Sequence, residues 1–466
     1  MKSHNVRIWG IRRRNSKSAP FQVRWTVAGK VCQEPFATKT LADARRSKLV
    51  TAVGAGEAFD VATGLPASEL REATSPTWYE HACAYALMKW PNASAKHRAG
   101  IAEALTALTV ALVSTSRGAP DSALLRRALQ GWAFRVTLGD DGEHRALKDA
   151  EDDVPYDVRR ALDWVAGASL KVIDVAESDN IRRALTALSK RLDGKRAADN
   201  TMRRKRMVFS NAMRYAVERE VLPANPLGRI DWAAPDTTDE VDFQYVPDPQ
   251  QTRRLIDAVR DADVRGPHLH AFFGCLYYAA MRPSEVASLM RRNCKLPAEG
   301  WGELVLTQSR PEVGKGWTDD GRSFDERGLK RRARKATRPV PIPPTLVAML
   351  RTHLDQFGTA EDGRLFRAPR GGRIGSNEYT ELWQQARKAA LTPEEAATPL
   401  ADVPYSLRHA GVSLWIKAGV DPVEVARRAG HSPAVLWRFY AKILRGQQAV
   451  SNQMIDAALA QTTTDR

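Results

Sequence analysis

Three places toward the C-terminal end set a basic side chain beside the start of a helix. In "AAMRPSEVASL", Arg282 directly precedes Pro283. Proline is favoured at the first helical position, which places Arg282 at or beside the N-cap. "VPYSLRHAGVSLWIKAG" reads as a helix starting near Ser406, with Arg408 and His409 in its first turn and Gly419 as its stop. In "GHSPAVLWRFY", Gly430 ends one helix, Ser432-Pro433 begins the next, and His431 lies between. The first N–H groups of a helix have no intrahelical partner, so a cation beside them makes an anion site. Three such sites in one domain would hold a phosphate whose oxygens grow more negative during reaction.

A held phosphate needs a nucleophile. Tyr440 follows His431 by nine residues and is flanked by Arg438 and Lys442. A free phenol has a pKa of about 10, and neighbouring cations favour the phenolate that attacks. Taken alone, each arginine reads as a surface residue, and Trp437, Phe439 and Tyr440 read as core aromatics; the ordered set is what points to chemistry. The sequence contains no GxxxxGK[ST] and no carboxylate cluster suited to two metals. Neither a cofactor nor a metal is expected.

These groups need a framework. With 466 residues, the chain is long enough for about three domains. Its net charge of +17 and pI of 9.9 favour a polyanionic partner, nucleic acid or an acidic membrane. The apolar runs "AGIAEALTALTVALV" and "LHAFFGCLYYAAM" are shorter than the ~18 residues a span needs, so no membrane segment is expected. The N-terminus has no apolar signal core, and Cys32, Cys83, Cys275 and Cys294 form no CxxC pair. A reducing cytoplasm, with the chain on the nucleoid, fits both.

The pattern predicts a mainly α protein with small β-sheets, an α+β chain in three parts. Residues 1–56 read as a β-sheet and helix module. "FQVRWTV" alternates like a half-buried strand, "VRIWGIRRR" is its partner, "AGK" is a turn, and a helix follows from Thr40, capped with Asp43. Arg7, Arg12, Arg13, Arg14 and Arg24 would enrich one sheet face, either a nucleic-acid reader or a solvated surface. "GAGEAFDVATGLPASELREATSPT" reads as a linker. Residues 75–230 form a helical domain opened by Ser75 and Pro76, in which "GDDGEHRALKDAEDDV" is an acidic surface loop. Its helix "NTMRRKRMVFSNAMRYAVERE" carries Arg203, Arg204, Lys205 and Arg206 on its first turns. Basic residues there oppose the helix dipole, and phosphate contact would relieve the mismatch. Residues 245–460, capped at Asp248-Pro249, hold the chemistry.

"MRPSEVASL", "YSLRHAGVS", "GHSP" and "FYAKI" resemble the ordered boxes of the tyrosine recombinases, the phage-integrase family of site-specific DNA recombinases. The resemblance covers the third part. "TMRRKRMVFSNAMRYAVERE…PANP" is similar to the end of that family's core-binding domain, and the N-terminal module resembles its arm-binding domains more loosely. The resemblance implies that Tyr440 forms a 3′-phosphotyrosyl link to DNA, that Arg282 and Arg408 clamp the scissile phosphate, and that His431 donates a hydrogen bond to it. Glu285 would orient the first arginine, and His409 would support. Tyr405 stands where the family usually has histidine, and it is a poor base near neutral pH. The general-acid lysine would be Lys330, with Lys335 and Lys315 in reserve. Arg331, Arg332, Arg334 and Arg338 would ride on the DNA backbone.

The implied partners are double-stranded DNA recombination sites, three more copies in a homotetramer on paired sites, and a DNA-bending accessory or directionality protein. The segment "VSNQMIDAALAQ" would be an amphipathic helix packed on a neighbouring or its own protomer. Two rivals remain open: a type IB topoisomerase-like enzyme that nicks and closes one duplex, and a non-catalytic DNA-binding regulator of the same fold.

Overall fold

The computed structural model describes residues 1–151, 153–233, 241–326, 328–329, 337–445, 452–453, 455–456 and 459, with 441–445 described at the backbone. It is mainly helical with small antiparallel sheets, and it divides into two compact units, Met1–Asp236 and Thr237–Arg466.

The first unit opens with strands β1 (Lys2–Ser3), β2 (Val6–Ile8), β3 (Arg12–Arg13), β4 (Phe21–Val27) and β5 (Lys30–Phe36). β2 and β3 pair successive parts of β4, and β5 pairs its whole length. Ala28 (φ 49°) and Gly29 (φ 86°) make the two-residue turn from β4 to β5, the double positive-φ geometry that matches strand twist. Strand alternation buries Val23, Trp25 and Val27 together with Ala42 and Leu49 of α1 (Lys39–Gly54). The register places Arg7 opposite Thr26, Arg12 opposite Gln22, and Arg24 opposite Gln33. These three arginines therefore share the outer face, where Arg24 lies 5.1 Å from the Trp9 ring centroid. Arg13 pairs with Phe21 and belongs to the other face.

Several expected boundaries move. The cap of α1 is Thr38, whose side chain accepts from Leu41, so Thr40 and Asp43 lie inside the helix. The expected linker is structured: β6 (Phe59–Asp60) pairs with β1, Phe59 is fully buried in the sheet module's core, and α2 (Ala67–Thr74) follows. A buried phenylalanine ties the chain beyond residue 56 to the sheet. α3 (Trp78–Lys89) starts two residues later than Ser75-Pro76 suggests, because Thr77 and Glu80 form a reciprocal capping box. α4 (Ala95–Ala111) and α5 (Ser122–Ala128) follow, the latter continued by a π turn over Leu129–Ala133. The expected acidic loop contains a hairpin, β7 (Val136–Leu138) and β8 (His144–Ala146). Then come α6 (Leu147–Ala150), α7 (Tyr156–Ala168), α8 (Val172–Val175), α9 (Ser178–Leu188) and α10 (Asp199–Glu218). Trp78 meets Phe209 of α10 edge-on at 5.6 Å between ring centroids.

In the second unit, α11 (Pro249–Ala262) is capped by Asp248 with Gln251. α12 (Gly266–Tyr278) is the central apolar rod, with Phe272, Phe273 and Leu276 fully buried. α13 (Pro283–Val286) is only one turn, because Ser288 folds its hydroxyl back onto the carbonyls of Ser284 and Glu285. β9 (Cys294–Lys295), β10 (Gly302–Leu306) and β11 (Arg338–Ile342) form an antiparallel sheet with β10 in the middle. α14 (Pro344–Phe357), α15 (Ser376–Ala390) and α16 (Pro393–Ala396) precede α17 (Ser406–Lys417), α18 (Pro422–Ala429) and α19 (Pro433–Arg445). α17 crosses α12 closely: a Cβ on Gly411 would lie 2.1 Å from the Tyr277 carbonyl oxygen. Among the described residues no helix is long and apolar enough to cross a membrane. The segment "VSNQMIDAALAQ" lies largely outside the described residues.

Candidate active site

Arg282 is the N-cap of α13, in extended backbone just before Pro283. Its N–H donates to Glu285 Oε2 (2.9 Å), its Nη1 donates to Oε1 (2.9 Å), and its Nη2 reaches the Gly430 carbonyl (3.1 Å). Glu285 is also gripped from the far side by Arg338, Nη1 to Oε1 at 3.1 Å and Nη2 to Oε2 at 2.7 Å. Arg338 is 1 % exposed, so the expectation that it rides on a DNA backbone is wrong: β11 turns it inward with Val340 and Ile342. The Glu285 carboxyl is raised by burial, but Arg338 and Arg282 outweigh this and hold it at about 2.

Arg408 sits in the first turn of α17, equally buried. Its Nη1 donates to the Ala280 carbonyl, and its Nη2 donates to the Ala429 carbonyl (2.5 Å) and to His431 Nε2 (2.8 Å). Ala280 holds a left-handed backbone (φ 44°), unusual for a residue with a Cβ. None of Arg408's partners carries a compensating charge. Arg282 and Arg338 share the carboxylate of Glu285 and Arg408 has none of its own, so three guanidinium groups stand against one carboxylate, an excess of two positive charges. Unpaired buried charge is costly, so the site calls for an anion.

His431 is set by the end of α18. Gly430 (φ 65°) terminates that helix, its N–H bonding Arg427 O (3.3 Å) and the His431 N–H bonding Ala426 O (2.9 Å). Because an arginine can only donate, His431 Nε2 is the acceptor and the neutral ring carries its proton on Nδ1. That Nδ1 is buried without a partner, a donor lacking an acceptor. A Cβ on Gly430 would lie 2.0 Å from Arg338 Nη1. Gly430→Ala is therefore expected to lose roughly 1–2 kcal/mol of stability to left-handed strain and further stability from displacing Arg338. Gly300 has a similar positive φ (83°) with open space around its missing Cβ and serves as the control. Equal urea midpoints for Gly430→Ala and Gly300→Ala would remove the clash from the explanation.

Tyr440 is 1 % exposed, and its hydroxyl lies 2.8 Å from His409 Nδ1. The ring stacks on His431 with centroids 6.4 Å apart. The phenol is therefore buried against imidazoles and not against apolar side chains alone. Burial raises its pKa, opposed by Arg408. The helix breaks at this residue (φ −120°, ψ 17°), so α19 carries a kink at Tyr440 itself. Tyr405 caps the start of α17 half-buried, its ring edge-on to His409 at 5.1 Å and 5.9 Å below the Arg408 guanidinium.

Burial, then Arg408, depresses His409 to about 4 and His431 to about 3. In the unfolded chain both would take up protons below pH about 6.5. The unfolded state therefore binds more protons across that window, and stability falls as pH drops from 6.5 toward 4. Glu285 acts in the same direction lower down, its contribution being present above about 4.5 and lost toward 2. The urea midpoint of the full chain should decline steadily from pH 7 to 4.5. A flat profile there would contradict these assignments.

Arg282, Glu285, Arg408, His409, His431 and Tyr440 thus meet in one cluster, with Tyr405 at its edge. Arg338 was missed as a member, although inward alternation with Val340 and Ile342 was a signal for it. Lys330, Arg331, Arg332, Arg334 and Lys335 lie outside the described residues. Lys315 is exposed in a turn. In the other unit, α10 begins at Asp199, so Arg203–Arg206 occupy its second turn. Lys205 pairs with Glu103 (2.7 Å) and Arg206 lies 4.4 Å from the Trp232 ring, while Arg204 is exposed.

Neither a protein-family model nor a curated protein matches the sequence. Among solved structures, the chain is similar to a Tn1549 transposon integrase in complex with transposon right end DNA, at 15% identity and a TM-score of 0.46 over 62% of this chain and 90% of that one. It is also similar to the XerH site-specific recombinase bound to its difH substrate, at 11% identity and a TM-score of 0.42 over 73% and 90% of the two chains. A lambda integrase dimer bound to a COC′ core site matches at 13% identity and a TM-score of 0.38, over 54% and 78%.

Proposed function

We propose that the chain is a site-specific tyrosine recombinase that cleaves and rejoins double-stranded DNA through a 3′-phosphotyrosyl intermediate, in DNA integration or excision. The observation that carries this reading is a tyrosine hydroxyl bonded to one imidazole in a cluster where Arg408 bonds a second imidazole and Arg282 and Arg338 share the one carboxylate, Glu285. A buried cationic excess next to a nucleophile suits a phosphodiester that becomes more negative as it reacts.

In this reading the scissile phosphate replaces the missing counter-charge. Arg282 and Arg408 take its non-bridging oxygens, and His431 Nδ1–H donates to one of them. Tyr440 gives its proton to His409 Nδ1 as its oxygen attacks phosphorus. His409 thereby supplies the base that Tyr405 does not. The phosphorus–O5′ bond breaks, and a lysine, with Lys330 favoured over Lys335 and Lys315, protonates the leaving 5′-oxygen. The phosphotyrosyl link keeps the energy of the phosphodiester, so rejoining to a new 5′-hydroxyl requires no nucleotide. The kink at Tyr440 is where α19 would yield to let the phenol meet DNA. The outer sheet face with Arg7, Arg12 and Arg24, together with Arg203 and Arg204, would hold backbone phosphates. A homotetramer on paired sites, assisted by a DNA-bending or directionality protein, belongs to the same reading.

The test uses a pool of nicked duplexes cut from the DNA on either side of the gene, so that cleavage next to the nick releases a short strand and traps the intermediate. A detergent-resistant protein–DNA adduct whose digestion leaves the nucleotide on Tyr440 is the expected result. Specific binding without an adduct would make the chain a regulator. An adduct and plasmid relaxation, with no exchange between two marked sites, would make it a topoisomerase-like enzyme.

A further inference from the structure

Arg338 is among the largest fully buried side chains. Both of its Nη atoms are occupied by Glu285. We propose that Arg338 is a positioning residue that fixes Arg282 and His431 relative to each other, an inference that rests on the recombinase reading above.

Two links support it. Through Glu285, Arg338 acts on Arg282. A bidentate guanidinium fork fixes the plane of a carboxylate as well as its position. The carboxylate so fixed holds Arg282 at both its backbone N–H and Nη1. The same fork offsets the charge of Glu285. Without it, Arg282 would be the carboxylate's sole cation, and its own charge would be turned away from any phosphate. Through Gly430, Arg338 acts on His431. Its guanidinium lies directly under the Gly430 Cα, against the turn that presents the His431 ring. The carbonyl of that glycine is in turn the acceptor for Arg282 Nη2. One side chain therefore underlies both parts of the pocket.

Arg338→Lys keeps a charge beside Glu285 but loses the planar fork, so the Arg282–Glu285–Arg338 triad keeps its net charge while its geometry loosens. In single-turnover cleavage of the nicked-duplex pool, the variant should react ~100-fold more slowly, the cost of a misplacement of about an ångström. The DNA concentration giving half-saturation should stay near that of the unsubstituted chain. The thermal midpoint should fall because a buried two-point ion pair is weakened, so rates are compared well below it. Combined with Arg282→Lys, it should slow cleavage by less than it does alone, because one of its two links runs through that arginine. Glu285→Gln, which keeps the triad's shape, breaks the same link from the other side and should slow cleavage comparably. This variant decides the matter if Arg338→Lys does not fold. Cleavage by Arg338→Lys at the unsubstituted rate, or full additivity with Arg282→Lys, overturns the proposal while the recombinase reading stands. Absence of any adduct from the unsubstituted chain overturns both.

Discussion

Tyr440→Phe is expected to bind DNA as the unsubstituted chain does and to form no covalent adduct at all. The substitution removes one oxygen and leaves the ring in its buried core cluster, against His409 and His431. The loss of the bond to His409 Nδ1 should lower stability by only about 1 kcal/mol, the usual worth of one hydrogen bond. The proposed attacking atom, however, is gone, and among the described residues no other hydroxyl bonds His409. Denaturing gels of the nicked-duplex reaction, with a filter-binding isotherm alongside, separate the two effects. An adduct that survives in Tyr440→Phe assigns the nucleophile elsewhere.

Arg408→Ala should have the second largest effect, and its sign on stability differs from its sign on activity. Cleavage should fall by at least ~10²–10³-fold, since a preorganised donor aimed at developing phosphate charge is lost. For folding, the change relieves a buried charge that has no carboxylate of its own. Against this, it leaves the Ala280 and Ala429 carbonyls and His431 Nε2 without their donor. Stability should therefore move much less than activity. Calorimetry of the variant beside its single-turnover rate tests both. A rate within tenfold of the unsubstituted chain would show that Arg408 has no part in the chemistry.

Much of the site was legible because it is written in local punctuation. Arg282 before Pro283, the Gly430 stop and the Ser432-Pro433 start each dictate where a helix begins or ends, and the side chain at that junction follows. What was not legible depends on contacts distant in sequence. The Arg338–Glu285 pair joins residues far apart along the chain, and a basic cluster of arginines and lysines around it suggested a solvated surface. Only the inward phase shared with Val340 and Ile342 marked Arg338 as different. Likewise, "GAGEAFDVATG" has the composition of a linker, yet one residue, Phe59, ties it into the sheet. The role of His409 is invisible locally, because its partner Tyr440 lies two helices further on. Composition is likewise silent on the pairing of Lys205 with Glu103 from a separate helix.

The depth at which the phenol is stored has a consequence for how such a chain treats the rest of a genome. Under the recombinase reading, a Tyr440 that is only 1 % exposed would be out of reach of a passing duplex that merely brushes the surface. Strand breakage would then wait on a rearrangement about Tyr440, and only DNA that stays long enough to draw the helix open would be cut. Fidelity would come from residence time as much as from the reading of bases.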